Sequence, residues 1–245
     1  MSKLADAIRR SQRVESAPMG FGAARPAAKP SLLVGSLSSV AAADGARGAG
    51  ADFVILDSRP RALSDGDVKS LRETSGGLAL GVWAGASDTE GLKSLRQAGL
   101  DFLVAEADST PAAAMLDEDL GYVLALTAKP DEAFLRSLEP FSLEALLLTE
   151  LPSPLTVGAQ IELSRVGVLG RKPVLCQVPS DASSEDLQCL RAAGVVALVT
   201  TADGVAALKQ TVAELPPRRA RRDDRTVLSL PRGQAAATAD DEDDK

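Results

Sequence analysis

Asp57, Glu106 and Glu150 stand at or next to the ends of three short apolar runs, FVILD, FLVAE and ALLLTE. Carboxylates gathered at one place repel, so a trio needs a divalent cation, a basic neighbour or raised pKa values to coexist. Oxygen donors of this kind suit Mg2+ or Mn2+. Such an ion would polarise a carbonyl or carboxylate compound as a Lewis acid, the chemistry of a lyase or isomerase. Asp57, Glu106 and Glu150 are therefore the candidate catalytic and metal-binding residues. Arg59, two positions after Asp57, carries the planar fork that grips a carboxylate. Gln177 and Thr201 are the further substrate-binding candidates. The opposing reading turns one or more of the acids outward, onto Arg or Lys of an outer layer, as structure alone.

Other chemistries find less support. The sequence has no histidine, the commonest general acid or base near neutral pH and the commonest transition-metal ligand. Cys176 and Cys189 fall on a predicted strand and a predicted helix and read as packing residues, with no disulfide framework indicated. Lys129 precedes Pro130 in a turn, where a lysine stays solvated and protonated and is unsuited to Schiff-base work. The segments VPSDASSED and TTADG, which follow the last two apolar runs, are acidic and offer only Gly204, against a phosphate cradle.

The net charge of −7 is unevenly spread. Residues 1–30 hold six basic and two acidic side chains and residues 216–245 hold seven of each, leaving 14 basic against 25 acidic in residues 31–215. A body that acidic repels phosphate backbones, so no nucleic-acid partner is expected. No apolar run reaches the roughly 18 residues of a membrane span, and MSKLADAIRRSQ is charged where a signal peptide is apolar. The expected location is cytoplasmic, with no membrane partner.

The candidate residues need elements to hold them. Eight apolar runs alternate with helical patterns: Ser31–Leu37, Asp52–Asp57, Leu78–Trp83, Asp101–Glu106, Tyr122–Thr127, Ala145–Glu150, Pro173–Gln177 and Val195–Thr200. Each is apolar almost throughout, as parallel strands covered on both faces are. Strand then helix, eight times over, predicts an α/β fold, a compact eight-stranded parallel (β/α)8 barrel with short βα loops. Ser64-x-x-Asp67, Ser87-x-x-Glu90 and Ser183-x-x-Asp186 mark helix starts, and Gly50, Gly99 and Gly194 mark helix ends that need a left-handed residue.

The same glycines open an internal repeat, AGADFVILD (49–57), AGLDFLVAE (98–106) and AGVVALVTT (193–201). Aligned positions should share a barrel layer: Phe53, Phe102 and Ala197 lowest, then Ile55, Val104 and Val199, then Asp57, Glu106 and Thr201 at the C-terminal rim, with Glu150 at that level on the sixth strand. Trp83 ends the third strand at the same rim.

At GARGAGADFVILD, LRQAGLDFLVAEA and LRAAGVVALVTT the chain resembles aldolase-type barrels, the group that includes phosphate-sugar-binding barrels and metal-dependent aldolases of pyruvate-like compounds. The resemblance covers about residues 31–215 and implies the fold first and small-molecule chemistry second. Where the pyruvate-type aldolases carry an acidic residue and a histidine, this chain has Asp57, Ser58 and Arg59.

Three regions follow: an N-terminal helix and arm (1–30), the barrel (31–215), and a charged C-terminal tail (216–245) expected to be disordered. Ser2–Arg13 reads as a helix with Leu4 and Ile8 on one face, folding back over the barrel's own surface or its N-terminal mouth. A homo-oligomer or protein partner, if there is one, would be held through this arm or the tail. Two functions stand against each other. One is a small-molecule lyase- or isomerase-like enzyme. The other is a catalytically inactive barrel serving as a binding, scaffold or structural subunit, which the short βα loops favour.

Overall fold

The protein is described by a computed structural model over residues 2–12, 32–59, 63–74, 77–83, 89–126 and 129–216. Its eight strands are β1 (Leu33–Ser38), β2 (Phe53–Asp57), β3 (Ala79–Trp83), β4 (Phe102–Glu106), β5 (Gly121–Leu126), β6 (Ala145–Leu148), β7 (Val174–Gln177) and β8 (Val195–Thr201). All neighbours pair in parallel in chain order, and β8 returns onto β1 in the register Leu33↔Ala197 to Leu37↔Thr201. The predicted closed barrel is therefore the observed one. Helix α1 (Lys3–Gln12) precedes it, and α2 (Val40–Gly48), α3 (Asp65–Thr74), α4 (Thr89–Gln97), α5 (Glu132–Ser137), α6 (Val157–Gly170), α7 (Ser184–Ala192) and α8 (Val205–Ala213) surround it.

The alternation of strand and helix fails once. Between β4 and β5 the chain forms only a 3-10 turn, Ala112–Leu116, opened by Pro111. Five residues are too few to recover the unfavourable nucleation of an α-helix. The carbonyls of Ala114 and Asp117 are met instead by the Tyr122 hydroxyl, at 2.8 and 2.9 Å. A groove of about 500 Å³, lined by Leu92, Ala114 and Leu120, is left between α4 and this turn.

Local signals at the helix ends behave as their chemistry requires. Ser64 Oγ accepts the Asp67 N–H while the Asp67 carboxylate accepts both the N–H and the hydroxyl of Ser64, a reciprocal cap. Ser183 and Asp186 repeat the hydroxyl half of it. Ser87 lies outside the described residues. Gly50, Gly99 and Gly194 adopt φ of 87°, 116° and 97°, conformations that a Cβ disfavours.

The barrel interior is apolar and layered. Phe53, Phe102 and Ala197 pack with Ile55, Val104 and Val199 in one inner cluster, as the repeat predicts. The two phenylalanine rings meet edge to face with centroids 6.4 Å apart. Each ring lies over a glycine of the preceding strand, Phe53 over Gly35 and Phe102 over Gly81, where any Cβ would enter the ring. Leu4 and Ile8 complete the same cluster from below, both buried, so α1 seals the N-terminal mouth of its own barrel. Ser2 caps that helix and donates through its N–H and its hydroxyl to the Glu144 carboxylate.

Aligned repeat positions share a second device at this end. Asp52 accepts the Val34 N–H at 2.8 Å and Lys209 of α8 at 2.6 Å. Asp101 accepts the Leu80 N–H at 2.9 Å and Arg72 of α3 at 2.7 Å. Each acid thus ties the strand before it to the helix layer. The C-terminal tail beyond residue 216, the arm 13–31 and Thr127 lie outside the described residues.

Candidate functional site

At the C-terminal rim the inward positions of β2, β3 and β4 are Asp57, Trp83 and Glu106. Arg59 leaves the end of β2 and folds back over them. Its Nε and one terminal nitrogen donate to the two Asp57 oxygens at 2.9 and 2.7 Å, a bidentate pair. The guanidinium carbon lies 3.9 Å from the centroid of the Trp83 ring, a cation–π stack. The other terminal nitrogen is 3.9 Å from Glu106 Oε1.

Trp83 is buried, and its indole N–H donates to Glu106 Oε1 at 2.8 Å. Ser109 donates to Glu106 Oε2 at 2.7 Å, and the Glu106 N–H is held by the Thr110 hydroxyl. The guanidinium donating to Asp57 holds that carboxyl below the usual carboxylate range, against the desolvation that opposes it. The same pairing raises the Arg59 pKa. Asp57 and Arg59 are accordingly both charged at neutral pH, joined in one network that includes Trp83, Glu106, Ser109 and Thr110.

Glu150 does not join them. Ala145 and Leu147 are the inward residues of β6, so the alternation of the strand carries Thr149 to the inner face and Glu150 to the other, where it is exposed. The expected level was displaced by one residue, because β6 lacks the Ala-Gly turn that sets the register elsewhere. Glu144, immediately before Ala145, is the signal that would have corrected it, since it aligns with Asp52 and Asp101. Among the described residues no group of three acidic or cysteine side chains could hold a metal ion. The donor set does not fit Mg2+ or Mn2+: a guanidinium occupies the space between Asp57 and Glu106, and the third acid lies off the face.

Gln177 and Thr201 occupy the inward positions of β7 and β8, on the opposite arc of the mouth from the acidic group. Gln177 is half-buried and Thr201 exposed. Ser36, Ser38 and Thr200 share the parity of Val34 and Leu198 and face the helix layer, not the mouth. Ser36 and Ser38 hydroxyls lie 3.3 Å apart, and the Thr200 hydroxyl is buried without a partner among the described residues. Cys176 also faces outward, and burial pushes its thiol pKa up, leaving it an unreactive packing residue. Lys129 is exposed. Trp83, whose stacking joins the two acids, is legible in the sequence only as a large residue at a strand end.

A closed barrel of eight parallel strands in chain order, surrounded by helices, is the architecture of the (β/α)8, or TIM, barrels. Among solved structures, the chain is similar to 3-keto-L-gulonate-6-phosphate decarboxylase from Vibrio cholerae, with TM-score 0.61 and 12% identity over 76% of this chain and 99% of that one. It is similar to phosphoribosyl anthranilate isomerase from Thermus thermophilus, with TM-score 0.56 and 14% identity over 76% and 100% of the two chains. It is also similar to the homocysteine methyltransferase MmuM of Escherichia coli, with TM-score 0.52 and 16% identity over 74% and 95%. Identities this low carry the fold alone. No protein-family model and no curated protein matches the sequence. Among the described residues no helix is long and apolar enough to cross a membrane.

Proposed function

We propose that the C-terminal rim binds a small carbonyl or carboxylate compound and acts on it as a lyase or isomerase does, through an enolate. The observation that carries this reading is the Arg59 guanidinium, clamped by Asp57, stacked on Trp83 and 38% exposed at the rim, with its remaining terminal nitrogen 3.9 Å from Glu106. A donor fixed in this way stabilises negative charge as it develops on a substrate oxygen without having to reorganise. Glu106, whose oxygens each keep a lone pair beyond those given to Trp83 and Ser109, takes the proton from the carbon next to the carbonyl. The C–H electron pair becomes the enolate double bond, the carbonyl pair moves to the oxygen held by Arg59, and return of the proton reverses the step. Asp57 positions Arg59. Gln177 and Thr201, across the mouth, hold the far end of the compound. A decarboxylase and an isomerase among the structural neighbours favour this class by analogy. No step runs through a metal.

The test is a panel of 2-oxo acids and phosphorylated ketoses incubated with the protein in D2O. At least one should acquire deuterium beside its carbonyl, and Arg59→Met and Glu106→Gln should each abolish the exchange. A second reading is favoured by a specific observation: both oxygens of Asp57 and both of Glu106 already accept hydrogen bonds from the chain itself. On that reading the network only closes the rim of an inactive binding or scaffold subunit. No exchange and no compound that raises the melting temperature would favour it over the first.

A further inference from the structure

Helix α6 has two apolar faces. Leu163, Val166 and Gly170 are buried against the barrel, and on the opposite side Val157, Ile161 and Val168 are exposed at 73%, 62% and 72%. At 100° per residue those three fall within a strip about 40° wide. With Ser164, half-buried at the edge of the strip and donating to the Ala193 carbonyl at 3.4 Å, they follow the spacing four, three, four of a coiled-coil seam, β-branched except at the serine. Phe141, half-exposed, extends the strip at its Val168 end. Its carbonyl is bound by Lys172, two residues past the helix. Of the five large hydrophobics that are exposed among the described residues, four lie on this side, Leu116 being the fifth.

We propose that this face is a two-fold interface between copies of the chain, α6 packing antiparallel on α6 of the second copy. Antiparallel pairing about the middle of the seam sets Val157 against Val168 and the large Ile161 against the small Ser164, twice over by symmetry. A seam that is complementary to itself is what an isologous dimer requires. The exposed fractions correspond to roughly 450 Å² of apolar surface, and a standard interface of about 800 Å² per partner is a little over half apolar. Charge allows the approach. A chain of net −7 must meet its copy where the field is locally weak, and the only charged side chains of α6, Glu162 and Arg165, neutralise each other at 2.8 Å.

The test is light scattering on the full-length protein across a concentration series. The expected mass is twice 25.3 kDa. Ile161→Asp and Val168→Asp should each weaken the dimer about 100-fold, since each substitution enters the interface twice. Both sites are solvated in the monomer, so the thermal melt of the barrel should persist; Ile161→Gln serves if an aspartate disturbs it. Leu116→Asp, on another side, should leave the dimer intact. A monomer at every concentration overturns the proposal, as does a dimer indifferent to both aspartates. So does a monomer whose tail beyond residue 216 becomes newly cleavable in Ile161→Asp, which would make the tail the occupant.

Discussion

Asp52, just before β2, and Asp57, at its end, stand five residues apart and do opposite things. Five is odd, so the pleat turns one carboxylate to the helix layer and the other to the barrel interior. Asp52, like Asp101 in the next repeat, binds a backbone N–H and a basic side chain at the foot of the barrel. Asp57, like Glu106, faces the mouth at the rim, with a cation stacked on tryptophan between the two. The foot is filled: two phenylalanines over two glycines, closed from below by α1. The rim holds its charges half-exposed. One repeat thus supplies a buried end that maintains the structure and a half-exposed, charged end where the proposed chemistry would take place.

The largest effect that would break this contrast belongs to the foot. Phe102→Ala should lower unfolding free energy by about 3–5 kcal/mol in a urea titration, as removal of a fully enclosed ring does. A smaller loss would mean that the lower layers are not the packed half. Leu4→Ala should cost about 2–5 kcal/mol if α1 is part of the core. A loss under about 0.5 kcal/mol would reduce α1 to a surface arm.

The paired acids sharpen the contrast. Asp101, whose side chain is 11% exposed, keeps one acceptor oxygen for two donors when changed to Asn, and the amide that replaces the other oxygen faces either the Leu80 N–H or Arg72, so about 1–3 kcal/mol should be lost. Asp57→Asn, at 24% exposure, should lose less than about 1 kcal/mol while abolishing the deuterium exchange that Arg59 supports. Equal stability losses would remove the distinction between foot and rim. The smallest effect is in pH. The folded pKa of Asp57 lies below its unfolded value near 3.8, so its contribution is present above that value and fades as pH falls through the folded pKa. Asp57→Asn should therefore flatten the acid limb of the stability curve slightly.

The eight strands were legible because parallel strands covered on both faces are apolar without interruption, and the layers were legible where an Ala-Gly turn fixes the phase. On β6 that turn is missing, and Glu150 was placed one residue out of phase. The 3-10 turn Ala112–Leu116 was hidden for another reason: its brevity is a property of the connection, and alternation alone does not report it. The partnership of Arg59, Trp83 and Glu106 joins three strands, and no pattern along a single strand records which cation will settle over which ring. The fold is written in local periodicity; the site depends on distances between strands.

Helix α1 is made long before its socket exists. Its seat includes Val196 and Ala197, about 190 residues downstream, which the ribosome reaches only after roughly 10–40 s at 5–20 residues per second. Until then Leu4 and Ile8 have no core to enter, and ten residues are too few to hold a helix in water without one. The barrel can be sealed only when its last strand has been delivered, so a nascent chain stalled before β8 should present Leu4 and Ile8 to chaperones while the finished protein hides them.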